Sequence, residues 1–521
     1  MTSSLLRRTA TGAVGLALAA GALAVTTAPG AHAVVAPTPS AEAKAAATWI
    51  ATQLSGGLLE GNGAASSGFG FNLDLGLGLA RTGASPSLAS TLRGGIDAGL
   101  ATYVTNHTRA AKTAWYVATA GGDPRSAGAT HLDLIAPIES DLNAETGVFL
   151  DSEGGPYATA GAYQSWAVLA LRGAGSTKTG LATDALVGIQ CSPTASTPGA
   201  WAYGDCTYGG DVLDTVYALL ALAPVQGTSD AIDDAIDAGV SYLASQQAAD
   251  GSFSTCTVYG GAPDYACELT EADANDTGLA GWAFGSVGAT AQAAKAATWI
   301  VNHQIVSLPG CGAAKAGNGA LMWTAAQYAK GLDDDTLPNA VNATAQALGA
   351  LAFLPATTPR VTAPTAYVAA RSQVKVSVSG LRAGQQACLT GGTAAVKATA
   401  NGTATVTTPA GTATRTLTLT TVGGTATAQV KVLGAATVKV TAGSKVKRGK
   451  KLTVTVRKLA AGERVTVKLG KKKLGTAVAS KAGVAKVRGK VAKSAKAGKT
   501  KVTVTGQFAN RTGKTTVKVT R

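Results

Sequence analysis

The sequence predicts a multidomain chain: an α/α toroid of about six helical hairpins, followed by two small all-β sandwiches. Three observations carry this. Gln190, Gln247 and Gln304 lie 57 residues apart, each closing a helix-like stretch ahead of a Gly-rich loop and a second apolar helix. Self-similarity at a fixed period marks a repeat architecture, here stacked hairpins closed into a ring. Segments 374–384 and 452–462 match at an offset of 78 and alternate β-branched with polar residues, as strands do. Charge divides the chain in the same way. Residues 34–356 hold 11 Lys and Arg against 28 Asp and Glu, whereas residues 357–521 hold 32 basic residues against Glu463 alone.

The ends bound the folded region. Residues 1–33 read as a secretory signal, with Arg7 and Arg8, an apolar run from Ala13 to Val25, and Ala31-His32-Ala33 as a small-x-small cleavage site. The run is too short for a membrane span. The expectation is an exported, soluble protein starting near Val34 without a transmembrane segment. The domains are then 34–355, 356–434 and 435–521, with Pro355-Ala-Thr-Thr-Pro359 as a short stiff linker. Six cysteines in an exported chain favour disulfides over metal ligands. Cys191 with Cys206 and Cys256 with Cys267 are sequence neighbours. Cys311 and Cys388 either pair across the domain boundary or stay free.

In the acidic half the predicted helices alternate between outer and inner. The outer set is 43–54, 86–106, 131–142, 179–190, 230–247 and 291–304. The inner set is 70–81, 109–120, 157–172, 211–222, 272–284 and 319–330, with 338–354 as a cap. Inner helices are apolar nearly all round and rich in Ala and Gly, as expected of helices packed on both sides. Asp214-Thr and Asp276-Thr open two of them, and an acid suits the positive helix start. The loops also rhyme. Gln247-Ala-Ala-Asp-Gly-Ser-Phe253 and Asn143-Ala-Glu-Thr-Gly-Val-Phe149 share an amide, a Gly at +4 for a left-handed turn, and an aromatic at +6.

These loops and hairpins, over residues 40–354, resemble the terpenoid cyclase and protein prenyltransferase superfamily, with its prenyltransferase and squalene oxidase repeats. The resemblance implies an α/α toroid; its chemistry is not intact here. Such cyclases protonate substrate from an Asp-x-Asp-Asp or Asp-Cys-Thr-Ala motif. Asp205-Cys-Thr-Tyr208 approaches the second, which makes Asp205 the one candidate acid, but a disulfide through Cys206 leaves it in a surface loop. Prenyltransferases hold zinc with Asp, Cys and His. His107, His131 and His303 lie away from any such pattern, and His131 and His303 read as ordinary helix residues. Gly310-Cys311-Gly312 is similar to the thioester loop of complement-type toroids, but position 314 is Ala where the bond needs Gln.

What remains for a site is aromatic and amide-rich. Trp115, Tyr163, Gln164, Trp166, Trp201, Tyr208, Trp282 and Trp323, with Asp214 and Asp276, cluster near inner-helix starts and their loops. They are the candidate ligand-binding residues. The competing reading is packing between hairpins. Glu268, Glu271 and Asp273 form an acidic group with weak calcium character, against a plain solvated loop. No cofactor is implied.

The basic half resembles bacterial immunoglobulin-like modules, which serve as stalks or adhesive units. From 435 on it carries 25 basic residues against Glu463, more than solubility or edge protection requires. Such a charge attracts anionic envelope polymers. Specific nucleic-acid recognition is not expected, because Phe508 is the only aromatic residue after Tyr367. Docking onto the acidic toroid is the rival reading. The expected function is a non-catalytic ligand-binding or surface-interaction protein held at the envelope. The alternative is a toroid enzyme, either cyclase- or prenyltransferase-like or polysaccharide-processing. A carrier similar to the secreted cobalamin binders is a third, weaker idea.

Overall fold

A computed structural model describes residues 38–149, 161–204, 206–254 and 271–521. The expected signal segment, Asp205, Cys256, Cys267 and Glu268 lie outside the described residues, as does the side chain of Tyr208. No helix among the described residues is long and apolar enough to cross a membrane.

The helical half runs α1 (Ala41–Ala51), α2 (Gly70–Thr82), α3 (Pro86–Tyr103), α4 (His107–Thr119), α5 (Ile135–Asp141), α6 (Gly161–Gly173) and α7 (Thr179–Gly188). It continues with α8 (Val212–Leu222), α9 (Asp230–Gln246), α10 (Ala274–Ser286), α11 (Thr290–Asn302), α12 (Ala325–Lys330) and α13 (Leu337–Ala347). Side-chain caps set several of the starts. Ser40, Ser85, Asn106, Asp211, Ser229 and Asp273 each accept backbone amides of the first turn. The apolar inner helices then meet in succession. Helix α2 packs on α4, α4 on α6, α6 on α8, α8 on α10 and α10 on α13, and α13 returns to α2.

The expected helix 319–330 forms only in its second half. Only α12 is helical within 319–330. Gly319 adopts φ 106°, and the next residues run extended, bridging Leu321 to Gln304 and Thr324 to Asp273. The inner place falls to α13 and the 3-10 turn Leu348–Phe353, which had read as a cap. The expected helix 131–142 also shortens. Asp133 accepts the amides of Ile135 and Ala136 and starts α5 there, while His131 sits in a turn at φ 52°. His303 lies just beyond α11, its ring against Trp299.

A repeated clamp joins each loop to its neighbours. Gln190 donates to Gly199 O and to Ala235 O of α9; Gln247 donates to Gly251 O and to Gln292 O of α11. Gln304 donates to Gly319 O and to Glu42 O of α1, so the last clamp reaches the first helix. Asn143 is too short for this work and turns back on its own loop, accepting the amides of Glu145 and Thr146. Gln164, from the inner helix α6, replaces it by donating to Gly147 O and to Ala182 O of α7.

The inner helices complete the clamp. Asn72, Gln164, Thr215, Thr277 and Thr344 accept the amides of Leu59, Phe149, Trp201, Phe253 and Leu321. Buried loop amides are thereby satisfied at each repeat. The loop glycines lie flush on the next outer helix. A Cβ at Gly319 would meet Ala45 O at 2.2 Å, and one at Gly147 would meet Leu181 O at 2.3 Å.

The basic half forms two two-sheet sandwiches with separate cores. In the first, strands Arg360–Thr362, Gln373–Ser379 and Gly402–Thr407 face a five-stranded sheet that includes Ala387–Thr390, Ala413–Thr421 and Gly424–Leu433. Val376, Val378, Leu389, Leu417, Leu419 and Val430 fill the space between. In the second, Lys439–Ala442, Lys451–Arg457 and Ala485–Lys490 face a larger sheet. Its central strands are Arg511–Thr520, Gly498–Thr505 and Arg464–Leu469. Val454, Val456, Val465, Val467, Val502 and Val517 make this core. Valine alternation on these strands is the expected pattern for one buried face.

The helical half and the first sandwich are fastened together. Cys311 and Cys388 form a disulfide across 77 residues. Beside it Arg382 pairs with Glu42, Gln386 hydrogen-bonds Tyr328, and Asn302 donates to Ala383 O. Cys191–Cys206 is the second described disulfide, closing the loop after α7. Disulfides of this kind belong to chains that mature in an oxidising compartment.

Candidate functional site

The interior of the inner-helix ring is largely occupied by aromatic rings. Trp115 of α4 stacks on Trp282 of α10, with centroids 5.8 Å apart, and meets Tyr217 of α8 edge-on at 6.3 Å. Tyr217 in turn meets Trp166 of α6 at 5.2 Å, and Trp166 meets Tyr163 at 5.5 Å. Edge and offset contacts of this type are favourable beyond the area they bury. Trp115, Tyr217 and Trp282 are buried in this cluster.

An open cleft of about 230 Å³ remains beside it, between α2, α4, α6 and α13. Trp166, Tyr103 and Phe71 form its apolar walls. Its polar lining is Asp74, Lys112, Arg109, Thr108 and Gln346. Lys112 Nζ lies 2.8 Å from Asp74 Oδ1 and over the Trp166 ring at 5.2 Å. Gln346 donates to the other Asp74 oxygen at 3.1 Å. Thr108 Oγ1 and Trp166 Nε1 are buried without a hydrogen-bond partner. Unmet polar atoms are costly, and at the wall of a cleft they are groups a polar ligand can satisfy.

Carboxylates gather at the starts of two other inner helices. Asp211 and Asp214 open α8, and Asp273 and Asp276 open α10, each pair as the cap and the third residue of the first turn. Burial and then Asp211 push Asp214 up to about 7, although its Oδ1 accepts the Ala162 amide at 2.6 Å. Burial, then Asp273, holds Asp276 well above the usual carboxylate range, and its Oδ2 has no partner. Asp74, Asp276 and Asp214 together raise the Tyr217 hydroxyl, behind burial as the main cause. Neutral carboxylic acids in an apolar setting are able to donate protons or hydrogen bonds.

The residues singled out from sequence separate into groups. Trp166 lines the cleft; Trp115, Tyr163 and Trp282 belong to the aromatic cluster; Asp214 and Asp276 lie at the helix starts. Gln164 and Trp201 do different work from that expected. Both are almost wholly buried, Gln164 in the loop clamp and Trp201 with its indole nitrogen donating to Leu186 O at 2.7 Å. Both are held inside the fold by backbone partners. Trp323 is partly exposed, and its carbonyl accepts the Ala274 amide.

Of the acidic group, Asp273 caps α10 and exposed Glu271 accepts the Ala326 amide. Among the described residues no group of three or more His, Cys, Asp or Glu is arranged to hold a metal ion. Asp74, Lys112, Thr108 and Gln346 were not singled out from sequence. The available signal was a single acid, Asp74, amid the apolar residues of α2, and Lys112 within the buried stretch of α4.

No family model matches the chain, and no curated protein matches it. Among solved structures, a tetra-tandem repeat from the extending region of a large adhesion protein matches 32% of this chain and 50% of its own. The identity is 15% and the TM-score 0.18. An ICAM-5 D1–D4 ectodomain fragment matches 31% of this chain and 53% of its own, at 17% identity and TM-score 0.17. The chain thus spans about half the length of these structures. A protein from Salmonella enterica subsp. enterica serovar Paratyphi A, described as a possible member of the GH105 family, matches 60% of this chain and 93% of its own. Here the identity is 14% and the TM-score 0.38. Scores and identities this low carry no argument about activity.

Proposed function

We propose that this is an exported ligand-binding and surface-interaction protein. Its α/α toroid of six hairpins takes a small polar ligand at the Trp166 cleft, and its basic second sandwich holds it at an anionic envelope. The observation that carries the binding reading is one cleft lined by Trp166, Thr108 and the Asp74–Lys112 ion pair, in which Thr108 Oγ1 and Trp166 Nε1 are buried without a partner. An aromatic wall with converging polar groups is the usual form of a small-molecule site. The aromatic cluster of Trp115, Tyr217 and Trp282 lies beside that cleft and supplies it with an apolar neighbour.

Native mass spectrometry of the full chain, recovered from its own culture medium, tests this. A bound small molecule that is lost in Trp166→Ala supports the reading. A bare mass for both proteins sinks it.

Asp214 and Asp276, whose carboxyls burial raises, favour a second reading, an acid-dependent toroid enzyme acting on polyprenyl or acidic glycan substrates. Turnover that disappears in Asp276→Asn, with unchanged melting, would establish it over the first.

A further inference from the structure

The second sandwich carries lysines in direct register with one another. On its larger sheet Lys445 pairs with Lys518, and Lys518 pairs with Lys499, so three like charges lie side by side on three adjacent strands. Lys468 and Lys473 are also register partners. All five are exposed. Like charges directly opposite on a sheet are destabilising. Among the described residues no acid pairs with them: Glu463 is the only carboxylate side chain after residue 356, and it is wholly buried against Arg511.

Lys499 and Lys501 alternate along one strand of this face, as do Lys445 and Lys447 along another. Alternate residues on a strand recur about 7 Å apart. The face is therefore a grid of ammonium groups, filled in by Thr503 and Thr516. It offers no aromatic plane on which a sugar ring or nucleobase could stack.

We infer that the Lys445–Lys518–Lys499 face is a docking surface for a linear phosphodiester polymer of the cell envelope. The inference rests on the tethering part of the proposed function and names the face and chemistry it uses. Lysine binds phosphate as a point charge without demanding planar geometry. The repeat of charges along the strands is comparable to one extended polyol phosphate unit. A flexible chain of such units neutralises neighbouring lysines that nothing in the protein neutralises. Each contact releases counterions, which makes the affinity steeply salt-dependent.

The test uses the purified full chain and poly(glycerol phosphate) as the probe, by titration between 50 and about 200 mM salt, the range over which such contacts are lost. One variant carries Lys445→Gln, Lys499→Gln and Lys518→Gln. A charge-matched variant on the opposite sheet, where Lys451 and Lys490 form a single register pair but no row of three, carries Lys451→Gln, Lys486→Gln and Lys490→Gln. The expected result is a loss of at least tenfold, with a shallower salt slope, for the first variant only, and no loss of melting temperature. Equal losses in both variants would mean non-specific attraction by net charge and would overturn the assignment. Salt-reversible self-association without polymer, abolished by the first variant, would assign the face to the acidic half of a second copy instead. Envelope retention in cells is read separately. Retention that persists in the first variant, alongside lost polymer binding, refutes the tethering reading and leaves the docking face standing.

Discussion

The side-chain amide of Gln304 donates to the carbonyl of Glu42, 3.0 Å away and 262 residues earlier in the chain. The Glu42 carboxylate then pairs with Arg382 of the first sandwich. One short stretch of α1 thus receives both the end of the helical circuit and the adjoining module. Gln304→Ala is expected to cost about 1–3 kcal/mol, the range for losing hydrogen bonds to buried carbonyls. Gln247→Ala, at a partly exposed clamp within the circuit, should cost less. Urea unfolding of both variants checks this, and equal losses would mean that closure adds nothing beyond an ordinary repeat contact.

Gly319 combines φ 106° with a backbone wall at the position of a Cβ. Gly312 has φ 138° but open space around it. Both substitutions to Ala incur backbone strain of about 1–3 kcal/mol. Only Gly319→Ala adds a clash with Ala45, so its melting temperature should fall further than that of Gly312→Ala. Matching melting curves would show that α1 moves aside without cost.

Asp214 gives the helical half a pH dependence of defined sign. The folded chain keeps this proton up to about pH 7, whereas an unfolded Asp releases it near 4. Between those values the unfolded state binds fewer protons. Stability therefore falls as pH rises through that window and levels off above it. Burial raises Asp211 and Asp276 in the same direction. Asp214→Asn keeps an oxygen for the Ala162 amide and removes the titration. Thermal melts from pH 4.5 to 8 should show a flatter profile for the variant; parallel profiles would refute the protonated state.

Glu463 is wholly buried and holds Arg511 through two short hydrogen bonds of 2.6 and 2.7 Å. Arg511 also donates to Gly434 O, at the boundary of the two sandwiches. Glu463→Gln leaves a buried guanidinium without its counter-charge, a change that costs about 3–5 kcal/mol. The second sandwich should then unfold ahead of the rest of the chain. A single unaltered transition in calorimetry would contradict this.

Much of the helical half is legible in its glutamines. The 57-residue spacing of Gln190, Gln247 and Gln304 is the imprint of one clamp made three times. The sequence misleads after Gln304, because the loop there reaches Gly319 only after 15 residues where Gln247 needs four. That insertion puts Leu321, Met322 and Trp323 in an extended loop, although their apolar character reads as helix. A fourth clamp is hidden because its amide, Gln164, comes from the inner helix. The cleft was harder still to read. Asp74 and Lys112 come from different helices, and no local pattern announces that they meet. The Tyr217–Trp115–Trp282 contacts likewise depend on three helices converging, so residues that read as cavity lining pack against one another.

The Gln304–Glu42 contact also sets a timetable. Ribosomes add roughly 5–20 residues per second, so α1 emerges about 10–50 s before the residue that completes its surroundings. Through that interval the first helix has no finished seat, and the early chain stays open to whatever machinery handles it. Closure comes late in synthesis, and the sandwich that leans on α1 is made only after it.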